Sequence, residues 1–154
     1  MYPTHYIEFL AHFHGTRDYF ECHEVLEEYW KDNDLKNRES VWVFLIQVAV
    51  GFYHHRRGNF RGAEKLMKRS QVYVERHGHL LPSVGLDKFE MKELIRCELK
   101  LLSNSKPYQS IQLPITDPQL LRKVRTQCVS WRVPFNQPSP MDEALIDKHR
   151  LRNR

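Results

Sequence analysis

Val41-Trp-Val-Phe-Leu-Ile-Gln-Val-Ala-Val-Gly-Phe-Tyr-His-His-Arg-Arg57 is the stretch on which the fold turns. Its β-branched residues would suit a strand, but the run is longer than an ordinary strand. Gly58-Asn59 behind it reads as a helix-ending glycine followed by an N-cap for the next helix. Taken as a helix over about 41 to 57, the stretch is apolar on most sides and should be the central, most buried element.

Helical patterns extend outward from it in both directions. A first helix is expected from Pro3 to His14, with Tyr6, Ile7, Leu10 and Phe13 on one face, ended by Gly15 and Thr16. A second runs from Asp18, an acid at the positive end of the helix dipole, to Lys31. Phe60 to Arg76 forms the fourth, with Ala63, Leu66, Met67, Val72 and Val74 interleaved with bases and Gly78 as its stop. The fifth covers Asp87 to Leu102 and should bury Phe89, Leu94, Ile95 and Leu101. Ser103 to Ile115 reads as a loop, and Thr116-Asp-Pro118 as the start of a sixth helix reaching about Trp131. Pro134, Pro138 and Pro140 then lead to a short charged C-terminal helix. The expected fold is all-α: a compact helical bundle over residues 1–103 with a Pro-containing helical extension over 104–154.

Residues 1–40 hold nine acids and four bases, while the whole chain carries a net charge of +5, so one end is acidic and the rest basic. Length alone allows a sizeable core without disulfides or a structural metal. Cys22, Cys97 and Cys128 are odd in number and far apart, with no Cys-x-x-Cys, which argues against a disulfide framework or a cysteine zinc site and for reduced, intracellular thiols. The N-terminus lacks the pattern of a signal peptide, and the apolar run is broken by Gln47 and Gly51, so a cytoplasmic protein without a membrane partner is expected.

The polar residues of the central hairpin are the candidates for function. At about 100° per residue, Tyr19, Cys22, Leu26, Tyr29 and Trp30 define the buried stripe of the second helix, with His23 and Glu27 flanking it one turn apart. On the third helix, Gln47 and His54 share a side on which Gly51 leaves room for another backbone, a ligand or water, whereas His55 should be exposed. Cys22 lies about 100° from His23 on the helix, so the two do not face one target. No Gly-x-Gly-x-x-Gly or Gly-x-x-x-x-Gly-Lys pattern is present, which removes dinucleotide and P-loop chemistry.

Asp18-Tyr-Phe-Glu-Cys-His-Glu-Val-Leu-Glu-Glu-Tyr-Trp30, together with Leu45-Ile-Gln-Val-Ala-Val-Gly-Phe-Tyr-His-His-Arg-Arg-Gly-Asn59 and Gly62-Ala63, resembles the domain-of-unknown-function family 309, a set of small helical proteins. The resemblance covers about residues 12 to 80. It implies an all-α fold and places His23, Glu24, Glu27, Gln47, Tyr53, His54, Gly58 and Asn59 in a shared pattern, with no activity attached.

Three functions and one purely structural role remain open. His23, Glu27 and His54 are a two-His, one-carboxylate set that could bind a divalent metal such as zinc, with Glu24 or a metal-bound water as base. His23-Glu24-Val-Leu-Glu27 lacks the second His of the His-Glu-x-x-His proteases, so that chemistry is not carried over. The basic run over 54–76, with Arg56, Arg57, Arg61, Lys65, Lys68, Arg69 and Arg76, could meet nucleic acid. The spacing of Gly51, Gly58 and Ala63 is similar to one tetratricopeptide hairpin, which suggests a scaffold binding a protein or peptide through Gln47, Tyr53, Arg57 and Asn59. Structurally, His23, Glu27, Gln47 and His54 could instead form a satisfied hydrogen-bond network that fixes helix pairing.

Overall fold

The structure, a computed structural model, describes residues 1–152, with side chains through Arg150. Its elements are α1 (Thr4–Ala11), a π-type turn (His12–Thr16), α2 (Tyr19–Asn33), α3 (Val41–Arg56), α4 (Phe60–His77), a 3-10 segment (Gly78–Val84), α5 (Lys88–Ser103), α6 (Pro118–Ser130), α7 (Glu143–Ile146) and α8 (Lys148–Arg152). Among the described residues there is no strand, and a lone antiparallel bridge joins Leu86 to Ile115. The fold is all-α. The last two residues of the expected extension lie outside the described ones.

Local chemistry sets the helix starts. Asp18 accepts from the Glu21 amide at 3.0 Å, Ser40 from Trp42 at 3.1 Å, and Asn59 from Gly62 at 3.0 Å. Each such cap satisfies an otherwise orphaned amide and is worth about 1 kcal/mol. Gly58 ends the α3 turn at φ 85°, a conformation that penalises any residue with a Cβ, so Gly58-Asn59 acts as the punctuation its sequence suggests.

The central position of α3 follows from its composition. Phe44, Leu45, Val48, Ala49, Phe52 and Tyr53 are all buried, and the helix packs against α2 on one side and α4 on the other. The row continues from α4 to α5 and from α2 to α1, and α6 packs back onto α1. At Gly51 the Met67 side chain of α4 packs directly on α3: a Cβ there would lie 2.6 Å from Met67 Cε. The space expected to admit a ligand or water is therefore filled by a methionine. No described helix is long and apolar enough to cross a membrane.

Of the residues expected to be buried on the fifth helix, Ile95 alone is fully buried. Met91, Ile95, Glu98 and Leu102 face the core, Leu94 and Leu101 are half-buried, and Phe89 is 76% exposed. A glutamate occupies a stripe position because it has a buried partner on α3, and Phe89 lies off that stripe. Val72, counted with the apolar residues of α4, is likewise 44% exposed.

Candidate binding groove and a closed polar end

The polar residues expected to meet between α2 and α3 are dispersed. His23 Nε2 pairs with the Glu27 carboxylate one turn on, and its Nδ1 lies 3.6 Å from exposed Glu24. Glu27 also accepts from Lys31 at 2.7 Å, and this bond, helped by His23, holds its carboxyl below the ordinary range against a modest burial effect. His54 sits elsewhere, with its Nδ1 3.4 Å from both Arg57 Nη1 and Asn59 Nδ2. Burial, with Arg57 and His149 nearby, lowers its pKa and favours the neutral ring. Gln47 turns toward α4. Among the described residues no group of three or more His, Cys, Asp or Glu side chains is arranged to hold a metal ion. The zinc set of His23, Glu27 and His54 is thus not assembled, and neither is the single hydrogen-bond network imagined for these residues with Gln47.

A different set of polar groups closes one end of the bundle. His55, expected at the surface, is buried, with Nδ1 2.7 Å from Glu98 Oε2 and Nε2 2.8 Å from the Lys106 carbonyl. A carbonyl only accepts, so Nε2 carries a proton. Burial lowers the pKa of His55, but the Glu98 bond and the Lys106 carbonyl together outweigh it and raise it, which fits an imidazolium donating from both nitrogens. The sequence signal was present in α5, where Glu98 interrupts an apolar stripe and calls for a buried partner.

Arg56 is also buried rather than part of a basic face. Its Nη1 donates to the Arg17 carbonyl at 2.6 Å and to Ser139 Oγ at 3.0 Å, and its guanidinium lies over Tyr19, 4.5 Å from the ring centre. Arg17, 2% exposed, donates to the carbonyls of Phe13, Ile111 and Gln137. The C-terminal segment straps this end down through polar contacts. Lys148 reaches Asp18 at 2.5 Å and Glu21 at 3.2 Å, Asp147 meets Arg57 at 3.4 Å, and His149 pairs with the Tyr53 hydroxyl. Tyr53 and Arg57, expected to bind a partner, are engaged by the protein's own tail, and Asn59 by its capping role.

On the other side of α3 the surface stays open. Arg38, Glu39, Gln47, Lys68, Arg69, Val72, Tyr73, Arg76 and His77 line a groove of about 390 Å³ between α3 and α4. Its floor is apolar: the Tyr73 ring stacks on Phe44 with centroids 4.6 Å apart. The Tyr73 hydroxyl is buried without a hydrogen-bond partner, and burial, with Glu39 and Asp34 adding to it, pushes its pKa up to about 12. It therefore remains a neutral donor. Among the described residues Arg69 and Arg76 have no carboxylate at ion-pair distance. Other depressions are chemically simpler. One on α6 is lined by that helix alone, and one between α1 and α2 is dominated by Glu8, Glu21, Glu24, Glu27 and Glu28.

A family model described as a domain of unknown function, DUF309, matches residues 6–66. The uncharacterized protein YpuF of Bacillus subtilis (strain 168) is similar along the full length, at 44% identity over 155 residues, covering 100% of this chain and 89% of the relative. The chain belongs to the DUF309 family. No solved structure matches it.

In this DUF309 protein the family match begins inside α1 and ends inside α4, a span shifted toward the N-terminus from the 12 to 80 read from the motifs. It contains the pair His23 and Glu27, the α3 residues Gln47, Tyr53, His55 and Arg56, and the cap Asn59. Glu98, Lys106, Ser139 and the residues of the strap lie outside it, as do Lys68 to His77 of the groove.

Proposed function

We propose that this DUF309 protein is a small helical interaction module whose working surface is the groove between α3 and α4. The observation that carries the reading is the open cationic groove itself. It combines arginines lacking ion-pair partners among the described residues, an apolar floor, and the Tyr73 hydroxyl left without a bond. Buried hydroxyls are normally satisfied, so a donor left idle beside a groove suits a ligand that supplies an acceptor. The Gln47 amide adds a donor and an acceptor on the opposite wall.

The metal-dependent alternative draws less support. Two of its intended ligands, His23 and Glu27, are adjacent, but no third His, Cys, Asp or Glu among the described residues completes a metal-holding group with them. The nucleic-acid alternative loses Arg56 to burial and has Arg57 tied to Asp147.

The test is a photo-crosslinking residue placed in turn at Val72 in the groove and at Val129 on α6, both exposed. In cells expressing the full chain, the reading expects a discrete adduct from position 72 that is absent from position 129. Adducts identical at both positions, or none at position 72, would remove the groove as the working surface.

A further inference from the structure

Resting on that reading of the groove, we infer that its occupant is an acidic amphipathic helix of a partner protein. An apolar side chain of that helix sits over Val72, and carboxylates on either side meet Arg69 and Arg76. Arg69, Val72, Tyr73 and Arg76 fall on one face of α4, and the two arginines are seven residues apart, about 10 Å along the axis. A partner helix with acids seven residues apart and an apolar residue between them repeats that spacing.

The remaining basic side chains of the groove already have partners. Lys68 pairs with Glu64 at 2.8 Å, Arg38 lies over Trp30 at 5.9 Å, and His77 faces Glu39 at 3.4 Å. The excess positive charge therefore comes from Arg69 and Arg76 in particular, which bracket Val72 rather than forming a continuous track. A phosphate backbone would use the two arginines and leave the apolar floor idle. Base stacking is also obstructed: the Tyr73 ring packs against Phe44 at 4.6 Å and against His77 at 5.1 Å, so neither neighbour leaves an open aromatic platform. Carboxylates around an apolar anchor use both free arginines and the exposed apolar surface at Val72, in the manner of a helix laid into a groove.

The experiment is selection of a displayed library of random 16-residue peptides on the full-length protein, with counter-selection on an Arg69→Glu/Arg76→Glu variant shown by circular dichroism to be folded. A fluorescent single-stranded oligonucleotide is titrated against both proteins in parallel. The expected result is enrichment of peptides with acids flanking an apolar residue at helical spacing. The best peptide should bind the double variant about tenfold more weakly, two exposed ion pairs being lost, and should weaken again when its apolar residue becomes Ser. Enriched peptides lacking acids or lacking the anchor overturn the inference. Oligonucleotide binding that the double variant abolishes, with no peptide enriched, also overturns it but leaves the groove as the working surface. If neither probe distinguishes the two proteins, the inference and the groove reading fall together.

Discussion

Arg56 and Arg76 are the same side chain on neighbouring helices, yet they meet opposite fates. Arg56 is 6% exposed, donates to a carbonyl and a serine, and packs on Tyr19 beneath the C-terminal strap. Arg76 is exposed on the rim of a groove with no carboxylate at ion-pair distance among the described residues. The closed end spends most of its polar groups on one another, with Arg56 Nε left without a partner, and these bonds fix how α2, α3, α5 and the C-terminal segment meet. The groove leaves Arg69, Arg76 and the Tyr73 hydroxyl without partners among the described residues. Hydrogen-bonding capacity that the fold does not consume is what an intermolecular contact needs, and this is why the proposed function lies at the groove rather than at the richer polar cluster.

If that contrast is right, damage to the closed end should appear as lost stability. The largest effect is expected for Glu98→Ala, which strands a buried imidazolium: about 3 to 5 kcal/mol in urea unfolding. A His55→Leu/Glu98→Leu double variant should recover much of this, because both charges then leave together. A loss below about 1 kcal/mol for Glu98→Ala would mean that the pair is not the closed charge pair inferred from its geometry.

His14 provides the next effect. Its Nε2 accepts from the Leu113 amide at 2.9 Å, so its Nδ1 donates to the Leu10 carbonyl at 2.9 Å, and the ring must be neutral. Burial, with Arg17 adding to it, drives the pKa down from 6.5 to about 4. Below pH 6.5 the unfolded chain takes up a proton that the folded chain refuses. Stability from this group is thus full above that pH and falls by about 3 kcal/mol as the pH drops toward 4. His55, whose pKa is raised, has the opposite sign: its contribution is complete below pH 6.5 and is lost as the pH rises through its folded value. Chemical unfolding from pH 7 to 4 should show a shallower acid loss for His14→Gln, and an unchanged slope would contradict the locked neutral ring.

Tyr53→Phe removes the hydroxyl that pairs with His149 and should cost about 1 kcal/mol, with faster amide exchange over residues 143–149. Slower or unchanged exchange there would show that the strap is held by its ion pairs alone. The smallest stability effect belongs to the groove: Arg69→Glu/Arg76→Glu should stay within about 0.5 kcal/mol of the parent protein, as exposed substitutions do. A large loss would place these arginines in the fold's own bonding and erase the contrast with Arg56.

The sequence by itself determined the all-α fold, the order of its main helices, the central burial of α3, the start of α2 at Asp18, the cap at Asn59, and the one-turn spacing of His23 and Glu27. Each depends on neighbours within a turn or two, where composition and helical period carry the information. Which of His54 and His55 is buried was decided by the tertiary structure. The partners that hold His55 are Glu98 and the Lys106 carbonyl, over forty residues away, and the exposed stripe implied by helical phase alone could not include them. Arg17 and Arg56 were hidden for the same reason, since the acceptors of each include residues brought in from the C-terminal third. The groove was half legible: the bases of α4 and Gln47 could be read from the chain. Only the packing of α4 on α3, with Met67 filling the space at Gly51, brings Gln47 beside that face and stacks Tyr73 on Phe44.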